Sequence, residues 1–140
     1  MLFILTLILV QAPQLLLPEG NGAWLVQIST TGGIFGRGVG DVALSSERKV
    51  LCSREIKCPD AFSLSDVQPF IENIQALPLP LPPLASVSMC RDCITRTIKI
   101  SWRDSMGVLH NYAATFDETT KGNLPLDVAK LYDAVVALGK

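Results

Sequence analysis

The sequence predicts an α+β domain: an antiparallel sheet of four to five strands built from two hairpins, with two amphipathic helices packed on one face. Three observations carry this. Apolar residues alternate with polar ones at period two around Trp24–Thr30, Arg96–Arg103 and Val108–Phe116. Two other segments, after Ser63 and after Pro125, place apolar residues on one helical stripe each. The links between neighbouring strands are short enough for hairpins, and too short for the helical crossovers that parallel strands need.

Taken in order, Trp24, Val26, Ile28 and Thr30 form the inward face of a first strand. The stretch Thr31–Gly38 (TGGIFGRG) is a loop, because its density of glycine holds no regular element. A second strand runs from about Gly38 to Ser45, a polar turn covers Ser45 to Lys49, and Val50–Cys52 adds a short third strand. Val67, Phe70, Ile71, Ile74 and Leu77 then share one stripe of a helix. Ser63 and Asp66 have capping-box spacing, and Pro69 fits only the first turn. Pro78, Pro80, Pro82 and Pro83 stop this helix and predict an extended, polyproline-like strap to the next strand. Arg96–Arg103, with Ile98, Ile100 and Trp102 inward, pairs with Val108–Phe116 through the tight turn Asp104–Gly107. A last helix covers Leu126–Leu138, with Pro125 in its first turn and Gly139 at its C-terminal cap.

At 140 residues the chain has the length of one domain. Twelve Lys and Arg against 13 Asp and Glu leave a formal charge of −1, with no basic patch of the kind a nucleic acid needs. Apolar residues make up 49%, enough to offset chain entropy and to exclude intrinsic disorder. The N-terminal MLFILTLILV is apolar except for Thr6 and is shorter than the roughly 20 residues of a bilayer span. It reads as the core of a secretion leader, lacking only the basic residues that usually precede one. Cleavage after Ala12 or after Gly22 satisfies the small-residue rule. Residues 1–22 are therefore expected to be a leader and 23–140 the domain, in an exported protein, periplasmic or extracellular. The competing reading is a buried N-terminal strand or helix.

Cys52, Cys58, Cys90 and Cys93 form an even set beyond the leader, so disulfides are the first expectation in an oxidising compartment. Three connectivities are open. Loop entropy favours at least one bridge between the Cys52–Cys58 segment and the Cys90–Cys93 segment over two local bridges. Zinc is the second reading, weakened by the loose Cys52–Cys58 spacing. A redox-active Cys90-x-x-Cys93 is the third, and it lacks the following helix that lowers a thiol pKa.

Catalytic constellations fail on the residues. The single histidine, His110, alternates with strand residues and reads as cross-strand packing. No G-x-S-x-G elbow is present, and adjacent Asp117 and Glu118 point apart on an extended chain. The glycine-rich loop lacks the Gly-Lys-Ser/Thr ending of a phosphate loop. The chain is expected to be no enzyme and to need no cofactor and no metal.

The strand running into Ile28-Ser29-Thr30-Thr31-Gly32-Gly33-Ile34-Phe35-Gly36, the helix around Leu64–Ala76, the paired strands ending in Thr115-Phe116-Asp117-Glu118, and the closing helix after Leu124-Pro125-Leu126 form a recognisable series. In this series, over roughly Ala23 to Leu138, the sequence resembles the emfourin-like proteins, small bacterial inhibitors of thermolysin-type metalloproteases. The leader, the four cysteines, the extra hairpin around Ser45–Cys52 and the Leu-Pro strap depart from the family's pattern. The resemblance implies a protein partner, a metallopeptidase, engaged through Thr31, Gly32, Gly33, Ile34, Phe35, Gly36 and Arg37. It further implies Ile34 or Phe35 in the pocket that such enzymes keep for bulky apolar side chains. The alternative is an envelope or secreted binding module with a different protein partner.

Overall fold

The computed structural model describes residues 17–32, 41–52, 62–78, 84–85 and 93–138. Its centre is a long first strand, β1 (Trp24–Gly32), flanked on both sides by antiparallel neighbours. On one side lie β2 (Val42–Ser45) and then β3 (Val50–Cys52), each antiparallel to the last. On the other side lie β5 (Ile94–Arg103) and β6 (Leu109–Phe116). A two-residue strand, β4 (Leu84–Ala85), adds to the far edge of β6 in parallel, giving the order β3-β2-β1-β5-β6-β4.

The α+β class and the five antiparallel strands match the sequence reading. The two-hairpin description needs correction in two respects. First, the longest pairing in the sheet, β1 with β5, joins the N-terminal meander to the C-terminal hairpin and runs from Trp24↔Trp102 to Gly32↔Ile94. Second, β4 is a parallel edge strand with no sequence signal, since two residues are too few to show a period.

Period two governs the sheet. Trp24, Val26, Ile28, Leu44, Ile98, Ile100, Trp102, Tyr112, Ala114 and Phe116 are all buried in one cluster with the helices. The alternate positions, including Gln27, Lys99 and Ser101, belong to the opposite face. The helices are α1 (Gln68–Gln75) and α2 (Leu126–Leu138), which meet each other over that cluster. α1 contributes Ile71 and Ile74, and α2 contributes Val128, Leu131, Tyr132 and Val135, all buried. The indole N–H of Trp24 donates to Gln68 Oε1 at 3.0 Å, tying β1 to the first turn of α1.

Local signals fared unevenly. Pro69 sits in the first turn of α1, as its missing N–H requires. The Ser63–Asp66 capping box does not form: a short 3₁₀ turn over Leu64–Asp66 precedes α1, and the Ser63 hydroxyl pairs with that of Ser65 instead. The boundaries of α2 fall at the two residues its stripe predicted. Its proposed cap, Gly139, and most of the Leu-Pro strap lie outside the described residues.

Tertiary contacts begin ahead of Ala23. Pro18 is buried and its carbonyl accepts from Arg103 Nε at 2.7 Å. Asn21 Nδ2 donates to the Ser105 carbonyl, and the Gly22 amide to that of Arg103. These contacts attach residues 18–22 to the body of the domain, on the near side of the expected boundary.

Candidate functional site at the loop end of the sheet

The register places the described candidate residues, Thr31, Gly32, Cys52 and Cys93, toward one end of the sheet. β1 runs toward that end and finishes at Gly32; β3 runs the same way and finishes at Cys52; β5 begins there, just after Cys93. Thr31 pairs with Thr95 and Gly32 with Ile94, so β1 is held against β5 up to the point where the glycine-rich stretch begins, while its pairing with β2 ends at Ile28. Thr31 is exposed. Across the base of the loop, the Thr30 amide donates to Asp41 Oδ1 at 3.2 Å, clasping the strand before the loop to the residue just ahead of β2. Gly33, Ile34, Phe35, Gly36 and Arg37 lie outside the described residues. Asp41 was missed in the sequence, where a lone acid between a glycine and a strand has no periodicity to mark it.

Cys52 and Cys93 lie toward this end of the sheet. Cys52 and Cys93 are both disulfide-bonded, so in this state neither is a thiolate available to zinc. Cys58 and Cys90 lie outside the described residues. Cys52 aligns through Val42 and Ile28 with Ile98 on β5, whereas Cys93 precedes Ile94. Three strand spacings separate them sideways, about 14 Å, and about five residues lengthwise, a further ~15 Å. A disulfide needs Cα atoms within roughly 7 Å. Cys52 and Cys93 are therefore not each other's partners, and the connectivity that joins them is eliminated.

Beside the loop end, the turn after β6 is built around Asp117, which is 1% exposed. Its Oδ1 accepts from the Thr119 amide at 2.7 Å, the Thr119 hydroxyl at 2.6 Å and the Thr120 amide at 3.1 Å. Glu118 is exposed. The two acids do not cooperate, as the sequence implied, and Asp117 organises the turn instead. The following 3₁₀ turn, Lys121–Asn123, sets the Lys121 ammonium 5.3 Å from the Tyr132 ring centroid. That ring meets Phe116 edge-on at 5.0 Å, and burial raises its hydroxyl pKa above the ordinary tyrosine value.

His110 sits at the opposite end of the sheet. Its Nε2 is 2.9 Å from Asp104 Oδ2, and its ring lies 5.6 Å from that of Trp102, the residue paired with it across the ladder. The other carboxylate oxygen of Asp104 accepts the Met106 and Val108 amides. These bonds, with that to His110 the largest, hold the Asp104 carboxyl below the usual carboxylate range. The cluster closes the β5–β6 hairpin, and it is far from the loop end.

The arrangement defines a class: an α+β domain whose central strand leads into a glycine-rich stretch, with Thr30 bonded to Asp41 across its ends and the disulfide-bonded Cys52 and Cys93 toward the same sheet end. No family model matches the chain, and neither a curated protein nor a solved structure does. Among the described residues, no helix is long and apolar enough to cross a membrane.

Proposed function

We propose that this chain is an exported, non-enzymatic protein that binds and inhibits a thermolysin-type metallopeptidase through the loop Thr31–Arg37. The observation that supports it is the clasped loop base. An inhibitory loop must hold one conformation in a substrate cleft, because ordering a loose loop on binding costs affinity. Here the loop departs from a central strand held against β5 through Gly32, and the Thr30–Asp41 bond ties its two ends together. Ile34 and Phe35, apolar residues in a loop, supply side chains for a pocket that favours bulky apolar groups. The glycines on either side let the backbone approach the cleft closely. Export rests on the apolar N-terminal run; the contacts made by residues 18–22 favour cleavage after Ala12 over cleavage after Gly22.

The test is inhibition of a thermolysin-type enzyme by the purified protein. Tight inhibition is expected, weakened about 30-fold or more by Phe35→Ala or Ile34→Ala, the loss typical of an anchor residue. A well-folded protein that leaves the peptidase fully active rejects the proposal. It then leaves the secreted binding module, sought by pull-down from envelope extract, as the reading to pursue.

A further inference from the structure

Arg96 stands toward the loop end of the sheet without a counter-charge among the described residues. It shares the parity of Ile98 and Ile100 on β5, and it pairs with Thr30 on β1 and with Phe116 on β6. The residue is half-buried, and among the described residues its guanidinium makes no hydrogen bond. Against Phe116 lies the ring of Tyr132, which is 7% exposed. The Tyr132 hydroxyl has no hydrogen-bond partner among the described residues, although a buried phenol ordinarily finds one. Burial raises the pKa of this phenol, and the charges that bear on it are, in falling order of effect, Arg96, Lys121 and Asp133. Tyr112, the other tyrosine of the core, is as deeply buried, and burial alone acts on it. The other charges nearby are engaged. The Lys121 ammonium donates to Asp133, and Asp117 receives the donors of its own turn.

We propose that Arg96 and the Tyr132 hydroxyl, with Lys121 alongside, receive a carboxylate of a peptide or protein docked at the loop end. The fork of a guanidinium matches the two oxygens of a carboxylate, and the phenol supplies a further donor. With Lys121 matched by Asp133, the unmatched charge is that of Arg96, which suits a monoanion better than the dianion of a phosphate. Arg96 pairs with Thr30, whose amide is clasped by Asp41, so the receptor lies at the base of the glycine-rich loop. The carboxylate comes from an acidic side chain or from a chain terminus. The proposal goes beyond the inhibitor reading and does not depend on it, since it requires a carboxylate and not a peptidase.

The test titrates the isotope-labelled protein with N-acetyl-glutamate amide, N-acetyl-alanine and inorganic phosphate, following the NMR cross-peak of the Arg96 Nε–H group. Saturable movement is expected with a carboxylate, and the tighter of the two organic probes identifies a side chain or a chain terminus as the source. Arg96→Lys keeps the charge and loses the fork, and it should weaken binding about tenfold. Tyr132→Phe should weaken it about fivefold, while Tm stays level or rises because the hydroxyl removed has no partner to lose. Lys99→Gln, on the opposite face of the sheet, should leave binding unchanged. An Arg96 cross-peak that no carboxylate moves, phosphate binding more tightly than both carboxylates, or a folded Arg96→Lys protein that binds as well as the wild type would each overturn the proposal.

Discussion

At the scale of single residues, two aspartates, Asp117 and Asp104, accept backbone amides, and each gives a distinct expectation. Asp117 is buried and receives the Thr119 and Thr120 amides. Asp117→Ala strands those donors and is expected to cost about 1–3 kcal/mol in denaturant-derived stability, while Thr119→Ala, leaving both amide bonds in place, costs less. Asp104 behaves differently because it titrates within reach of acid. Its folded-state pKa is depressed, so it stabilises the fold above the unfolded carboxylate value near 4, and that contribution is lost as pH falls through the lower folded value. Urea midpoints of the wild type and Asp104→Asn should differ at pH 7 and converge toward pH 2–3; a constant difference across that range would contradict the assignment. Gly107 completes the same turn with φ +80°, and a Cβ there would stand 3.1 Å from Asn21 Oδ1. Gly107→Ala is expected to cost about 1 kcal/mol or more, measured by the same midpoint, because both the backbone region and the space resist a side chain.

At the scale of elements, the contrast between faces decides what a substitution does. Leu131 on α2 is fully buried, and Leu126, five residues earlier on the same helix, is 68% exposed. Leu131→Ala should destabilise by about 2–5 kcal/mol and Leu126→Ala by about 0.5 kcal/mol or less, compared by thermal or urea unfolding. This contrast also explains which parts of the fold were legible beforehand. β1, β5, β6 and α2 are long and periodic, so burial alone wrote their pattern into the sequence. The start of α1 was obscured because Ser63 chose a neighbouring hydroxyl over the helix amides, a local competition that residue types do not settle. β4 is too short to carry a pattern. The candidate site was legible only as a glycine-rich loop. Its clasp by Asp41 and the Trp24–Gln68 link depend on which residues the sheet brings together, information held in the register rather than in any local motif.

At the scale of the whole molecule, the cysteines and the sheet constrain one another. A non-reducing peptide map of the oxidised protein is expected to show no Cys52–Cys93 link, because two strands stand between them. Cys52–Cys90 meets the same obstacle: Cys90 stands three residues from Cys93 and reaches at most about 11 Å from it, too little to bring a gap of about 20 Å within bonding range. The spacing favours Cys52–Cys58 with Cys90–Cys93, against the cross-segment bridge that loop entropy favoured, and the map tests this directly.

The pairing of β1 with β5 also sets the order of events when the chain is made. Trp24 and Val26 emerge early, yet their partners Trp102 and Ile100 lie beyond α1 and the strap. Until β5 arrives, the strand that becomes the middle of the sheet has an open edge and an apolar side without cover. The meander β1–β2–β3 and the hairpin β5–β6 can each close locally, but joining them pays the entropy of a long intervening loop. Refolding should accordingly fall in the slow, millisecond-to-second range of non-local sheets. Until β5 is made, the central strand therefore has only its β2 side paired, and its other edge stays open through the synthesis of α1.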